Sequence, residues 1–149
     1  MISLFNPTDS QHLIYRIEQL TPESKALWGK MNVSQMLYHC ACPLQVAVGE
    51  LRIKREFFGL IFGRMAKKRL SNDDPFKKNL PTVKKFIPEP TLNFKEEQKK
   101  LIFLIKRFDE EGPNIVTREP HPFFGDLTVE EWDILQSKHL DHHLRQFGV

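Results

Sequence analysis

Residues 127–149 read L-T-V-E-E-W-D-I-L-Q-S-K-H-L-D-H-H-L-R-Q-F-G-V, from Leu127 to Val149. Thr128 with Glu131 three positions on is a capping box, and Leu127 and Trp132 hold the staple positions beside it, so a helix starts here. At ~100° per residue, Trp132, Leu135, His139 and His143 fall within a sector of roughly 80°. Val129, Leu140 and Phe147 flank that sector, while Asp141 and Arg145 face away and His142 is displaced to one side. Such a stripe needs other helices to cover it. Two of its positions are histidines where apolar residues are expected, and burying imidazoles is costly unless their nitrogens find partners.

The rest of the chain supplies the covering helices. Thr8 to Leu20 carries Leu13, Ile14, Ile17 and Leu20 at helical spacing, with Thr8, Asp9 or Ser10 as the start signal. Thr21-Pro22-Glu23 predicts a short helical turn closed by Gly29. A second long helix begins at Asn32, a good cap with Gln35 at N3 and with Met31 and Met36 as its staple. Val33, Met36, Leu37, Cys40, Leu44 and Ala47 form its apolar face, with His39 at the edge. Pro43, which has no N–H for the His39 carbonyl, predicts a kink or an end near that histidine. A third long helix runs from about Thr91 to Glu111 on Phe94, Leu101, Ile102, Leu104, Ile105 and Phe108, and Gly112-Pro113 stops it. Residues 114–126 read as a loop, and no segment carries a convincing strand pattern. The expected architecture is all-α, an up-down four-helix bundle in one domain over residues 1–149.

Residues 51–88 break the pattern. They hold eleven Lys or Arg against Glu56, Asp73 and Asp74, a local net of +8 in a chain whose total is +3. Phe57, Phe58, Leu60, Ile61, Phe62 and Met65 predict a short helix, and Pro75, Pro81, Pro88 and Pro90 an extended segment after it. Basic and aromatic residues together could serve a nucleic acid or an anionic membrane surface. The charges fall all round any helix drawn there, so a solvated basic insertion between the second and third helices, its aromatics plugging the bundle, is the better reading.

Composition narrows the class. The chain is 40% hydrophobic and 28% charged, as in ordinary globular proteins. Apolar runs are too short for a membrane span, and the first ten residues lack the pattern of a secretory signal. Cys40 and Cys42 are badly spaced for a structural disulfide, so a reducing, cytoplasmic setting is expected.

The histidines carry the chemistry. His139 and His143 are one helical turn apart and can grip one metal ion, and His139 with His142, at i, i+3, is a second geometric option. The same spacing also serves hydrogen-bonded core pairs and polar patches. His39 gains weight in combination, since two helices of a bundle can look into one core, where such proteins build metal sites. Three neutral imidazoles leave a divalent ion its full charge, able to acidify a bound water or thiol. His121, between Pro120 and Pro122, is a candidate catalytic proton donor or outer-shell group at the mouth of the site, or else a loop residue stacked on Phe123 or Phe124. Asp141 lies outside the stripe, Cys40 reads as core and His12 as surface.

The stretch N-V-S-Q-M-L-Y-H ending at His39 and the final H-L-D-H-H-L-R-Q resemble the DinB/YfiT-like superfamily of metal-dependent hydrolases, a likeness carried by Leu20–Cys42 and His121–Val149. The resemblance implies a four-helix bundle and a divalent ion, zinc or nickel, on one histidine of the second helix and an H-x-x-x-H pair of the last. These fall on His39, His139 and His143. Members include thiol-dependent transferases and isomerases. Relatives often follow the second ligand of the pair with Arg-Gly-Gln, whereas this chain has Leu144-Arg145-Gln146, which leaves His142 as a substitute ligand. The expected function is hydrolysis or thiol-dependent transfer on a small-molecule substrate, with an activated water or low-molecular-weight thiolate as nucleophile. The alternative is a non-catalytic binding or interaction module of the same fold.

Overall fold

The computed structural model describes residues 2–54, 67, 76–80 and 86–149. Among these residues lie four long helices, α1 (Pro7–Glu18), α2 (Val33–Ala47), α3 (Phe94–Glu111) and α4 (Val129–Gln146), with a 3-10 turn at Gly112–Ile115. Among the described residues there is no strand, only an isolated antiparallel bridge between His121 and Gly125. No helix among them is long and apolar enough to cross a membrane.

Each helix starts where a side chain satisfies its free amides. The α2 and α4 capping boxes form as expected, Asn32 with Gln35 and Thr128 with Glu131. The start of α1 differs. Asn6, not Thr8, Asp9 or Ser10, accepts from the Thr8 and Asp9 amides, and Pro7 takes the first position, where its missing N–H costs nothing. Ser10 is instead turned inward, its hydroxyl donating to the Leu4 carbonyl at 2.8 Å. Asn93 caps α3, which therefore begins at Phe94 rather than Thr91. Gly112, at φ +63°, ends it.

Two features of the first half differ from expectation: the helical turn after Thr21, and the helix end, one of the two outcomes expected at Pro43. Residues 21–24 form a hydrogen-bonded turn, Ser24 N–H to the Thr21 carbonyl at 3.0 Å, and no helix. Thr21, Pro22 and Glu23 are exposed, so no apolar face rewards ordering them. Pro43 does not end α2, which runs on to Ala47. An interior proline costs about 3 kcal/mol. Burying Leu44 and Val46 just beyond it returns about 1.5–3 kcal/mol per side chain.

The helices pack as a ring: α1 on α3, α3 on α2, α2 on α4 and α4 on α1. Leu13, Ile17, Met36, Leu37, Leu101, Ile105, Phe108, Trp132 and Leu140 contribute to one core shared by all four. Polar ties reinforce the ring. Arg16 on α1 donates to Asp141 on α4 and to the Val149 carbonyl, both at 2.8 Å. Gln98 on α3 donates to the Ile17 carbonyl at 2.9 Å.

The short helix expected around Phe57, Phe58, Leu60, Ile61, Phe62 and Met65 lies outside the described residues. Residues 86–90 do lie along α2: Gln35 donates to the Pro88 carbonyl at 2.9 Å and Asn32 to that of Pro90 at 3.1 Å. This places the Phe86 carbonyl against His39.

Candidate metal centre

α2 and α4 face each other across the core, and the apolar stripe on each fixes which residues meet. His39 comes in on α2 and is buried. His139 and His143 come in on α4, one turn apart. The three rings form a nearly equilateral triangle, with centroids 4.8 Å apart for His39–His139 and 4.6 Å for each of the other two pairs. One nitrogen from each lies within 4.8 Å of the others. The Nε2 atoms of His39 and His139 are 3.0 Å apart. Zinc–imidazole bonds of about 2.0–2.1 Å in a tetrahedral set put ligand nitrogens ~3.3 Å apart. The donor set therefore fits one divalent ion once the His39–His139 pair opens slightly and the wider spacing, up to 4.8 Å, closes.

The neighbours decide which nitrogens are available. His39 Nδ1 stands 3.2 Å from the Phe86 carbonyl, which can only accept, so Nδ1 carries the proton and Nε2 the free lone pair. His143 Nδ1 is 2.7 Å from Gln146 Oε1. The Gln146 amide cannot be turned over, because its Nε2 donates to the Trp28 carbonyl at 2.6 Å. His143 is thus also an Nδ1–H tautomer with Nε2 free. Carbonyl partners of this kind orient metal-ligating histidines and raise their basicity. Gly29 makes room for the arrangement, since a Cβ on it would stand 2.5 Å from Gln146 Nε2. His139 differs: its Nδ1 is buried with no hydrogen-bond partner among the described residues.

Electrostatics keep the set neutral. Burial pushes His39 down to about 4, only partly opposed by the Phe86 carbonyl. His143 is lowered to about 3, first by burial and then by His39, against the opposing Gln146 bond. His139 lies well below its ordinary value, by burial and then by its two histidine neighbours. At neutral pH all three are neutral imidazoles, the form a metal requires. His143 lies in the last turn of α4, where the helix end favours a cation.

The other candidates lie elsewhere. His142 is not in the triangle. Its ring stands 5.0 Å from that of His143 but packs 5.8 Å from Trp28 and 6.2 Å from Phe76. It lines an open groove of about 260 Å³ with Trp28, Phe76, Lys78, Lys138, Asp141 and Arg145. Asp141 pairs with Arg16 and Arg145 and orients no ligand. Cys40 is buried core, its thiol pushed upward by burial. His12 is exposed. His121 serves its own loop: Nδ1 accepts the Phe123 and Phe124 amides at 3.0 and 3.1 Å. Its ring packs 4.9 Å from Phe124 and 5.0 Å from Trp132. Trp132 is seven residues before His139, ~10 Å along α4.

Gln146 and the Phe86 carbonyl were not singled out from sequence, and Gly29 was read only as the close of a turn. Gln146 had a usable signal, its i, i+3 spacing from His143. The Phe86 carbonyl had none, because a backbone group has no side-chain signature.

A family model described as Protein of unknown function (DUF1569) matches residues 5–148. No curated protein and no solved structure matches the chain.

Proposed function

The chain belongs to the DUF1569 family, and we propose that it is a metal-dependent hydrolase or thiol-dependent transferase acting on a small molecule. His39, His139 and His143 would hold the ion, zinc or nickel. The observation that carries this reading is the convergence of three neutral imidazoles from two helices, two of them with proton and lone pair already assigned by carbonyl partners. A divalent ion on that set would supply Lewis acidity, lowering the pKa of a water or thiol it binds. The up-down topology of the DinB/YfiT-like superfamily, the basic insertion over residues 51–88 and a reducing compartment belong to the same proposal. The helix ring and the free thiols of Cys40 and Cys42 support it.

The chain's own residues would do the rest. Burial and the two carbonyl partners hold the imidazoles neutral and aimed inward. The groove beside His142 offers Trp28 and Phe76 as flat apolar walls and Lys78, Lys138 and Arg145 as cations, with Asp141 as its acid. Such a lining favours a small substrate or thiol cofactor that carries a carboxylate or similar anion.

The second reading is a non-catalytic binding module with the same site. His121 favours it: with Nδ1 held by two backbone amides, the proton donor expected from sequence belongs to a loop. The test is elemental analysis of protein purified without chelator, joined to turnover assays with low-molecular-weight thiols and hydrolysable esters and amides. One equivalent of metal with turnover carries the first reading. One equivalent with none carries the second, and no metal in wild type defeats the first and leaves a module that does not use the site.

A further inference from the structure

α4 has a second face beside its histidine stripe. Lys138, Asp141, His142 and Arg145 recur at three- and four-residue spacing, so they share one side of the helix. Together with Trp28, Phe76 and Lys78 they line the groove of about 260 Å³. The rings of Trp28 and Phe76 pack 5.8 and 6.2 Å from that of His142 and give the groove its apolar walls. Each wall carries a cation over its face. Lys78 Nζ stands 4.3 Å from the Trp28 ring centre, and Lys138 Nζ 5.6 Å from that of Phe76. A cation–π contact holds an ammonium in place without neutralising it. These charges are positioned before a ligand arrives, which lowers the cost of ordering them on binding.

The charges in the lining do not balance. Lys78, Lys138 and Arg145 face one acid, Asp141, which leaves a net of +2. That acid is already engaged twice. Arg145 Nε donates to its Oδ2 at 2.9 Å, and Arg16, which lies outside the lining, donates to its Oδ1 at 2.8 Å. The second guanidinium therefore offsets Asp141 from behind, and the groove keeps its positive field. Arg145 retains its Nη donors beside the two ammonium groups. Three cations on separate side chains suit a compact group with several oxygens better than a single planar carboxylate. A phosphate monoester has three terminal oxygens and a charge of about −1.5 to −2 at pH 7, which matches both the donors and the net charge. The volume falls below the roughly 300–1,000 Å³ of pockets that enclose a whole ligand, so the groove fits a head group.

We propose that this groove is a phosphate-monoester site. Lys78, Lys138 and Arg145 hold the phosphoryl oxygens, and Trp28 and Phe76 cover the carbon skeleton next to them. The phosphate is a handle, and no bond to it breaks. Binding itself needs no metal ion. That the ligand is a substrate rests on the metal-dependent reading: the His142 ring is 5.0 Å from that of His143, so the body of a ligand held here lies beside the triangle.

The experiment uses the full chain, stripped of metal and dialysed free of chelator. Phenyl phosphate, benzoate and inorganic phosphate are titrated while the Trp28 indole N–H is followed by ¹⁵N NMR. Phenyl phosphate should give a saturable shift and bind about tenfold or more tighter than either of the others. Lys78→Gln and Arg145→Gln should each weaken it about three- to tenfold. Lys106→Gln, which removes an exposed lysine of α3, should leave it unchanged. Added salt should weaken it in wild type. Benzoate binding as tightly would mark a general carboxylate site, and inorganic phosphate binding as tightly would show that the aromatic walls hold nothing. Either result overturns the inference, as does an equal loss in Lys106→Gln or no saturable shift. Phenyl phosphate binding in a protein that takes up no metal would leave this site standing and defeat the metal-dependent enzyme. Stoichiometric metal without phenyl phosphate binding would do the reverse.

Discussion

His39, buried on a helix, and His121, half-buried in a loop, share one property: burial pushes each down to about 4. They differ in where the lone pair goes. His121 Nδ1 accepts two amides of its own loop, two and three residues away. His39 gives its Nδ1 proton to Phe86 and turns Nε2 toward two histidines on another helix. One imidazole closes a turn, and the other leaves an uncommitted donor atom in the core. A depressed histidine therefore says only that the site is dry. The partner of the lone pair says what the residue is for.

The largest effect should come from the triangle. Replacing His139 or His143 by Ala should abolish stoichiometric metal, read by elemental analysis after purification without chelator. Full retention in both variants would sink the three-histidine site. His142→Ala should keep the metal, because its ring faces Trp28 and Phe76; its loss there would exchange the roles of His142 and His143.

One shell out, Gln146→Leu removes the acceptor of the His143 proton and should weaken metal binding by about ten- to a hundred-fold. Gly29→Ala should act in the same direction but less. The added methyl meets only the far end of the Gln146 side chain, though φ of +84° strains any residue but glycine. Chelator competition would rank the two, and the reverse order would show that Gln146 does not orient His143.

Acid should act on both regions. A histidine held below its unfolded value of about 6.5 contributes stability that is fully present above that pH. The contribution is lost as pH falls, because the unfolded chain takes up protons that the fold excludes. For His39 and His121 the window runs from about 6.5 down to about 4, and for His143 down to about 3. The slope is about 1.4 kcal/mol per pH unit for each histidine. Urea midpoints of chelator-treated protein should therefore fall steadily from pH 7 to pH 5. Bound metal should steepen the fall, since protons compete for the same nitrogens. A flat profile would mean that these imidazoles are solvated.

The smallest effect sharpens the contrast. His121→Ala leaves the Phe123 and Phe124 amides without their acceptor and should cost about 1–3 kcal/mol of stability. Metal content should not change. Loss of metal with the fold intact, by circular dichroism, would bring His121 into the site.

Much of the scaffold was legible because it is local. The capping boxes at Asn32 and Thr128, the stop at Gly112 and the stripes of α3 and α4 follow from spacing within a turn or two. Where nearby signals compete, legibility drops. Asn6 outbid three other start residues for α1 because Pro7 follows it. Pro43 failed to end α2 because the apolar residues beyond it are anchored in the core.

The site divides along the same line. Helical periodicity alone puts His139 and His143 on one face and Asp141 off it, because the wheel angle depends only on residue number. That His39 meets them is a contact across 100 residues, decided by how α2 packs on α4. The same holds for the tautomers. A proton sits on Nδ1 of His39 and His143 because residues 86–90 lie along α2 and because Trp28 holds the Gln146 amide. A hydrogen bond depends on atoms that are near in space, and only the folded chain makes Phe86 and Trp28 near.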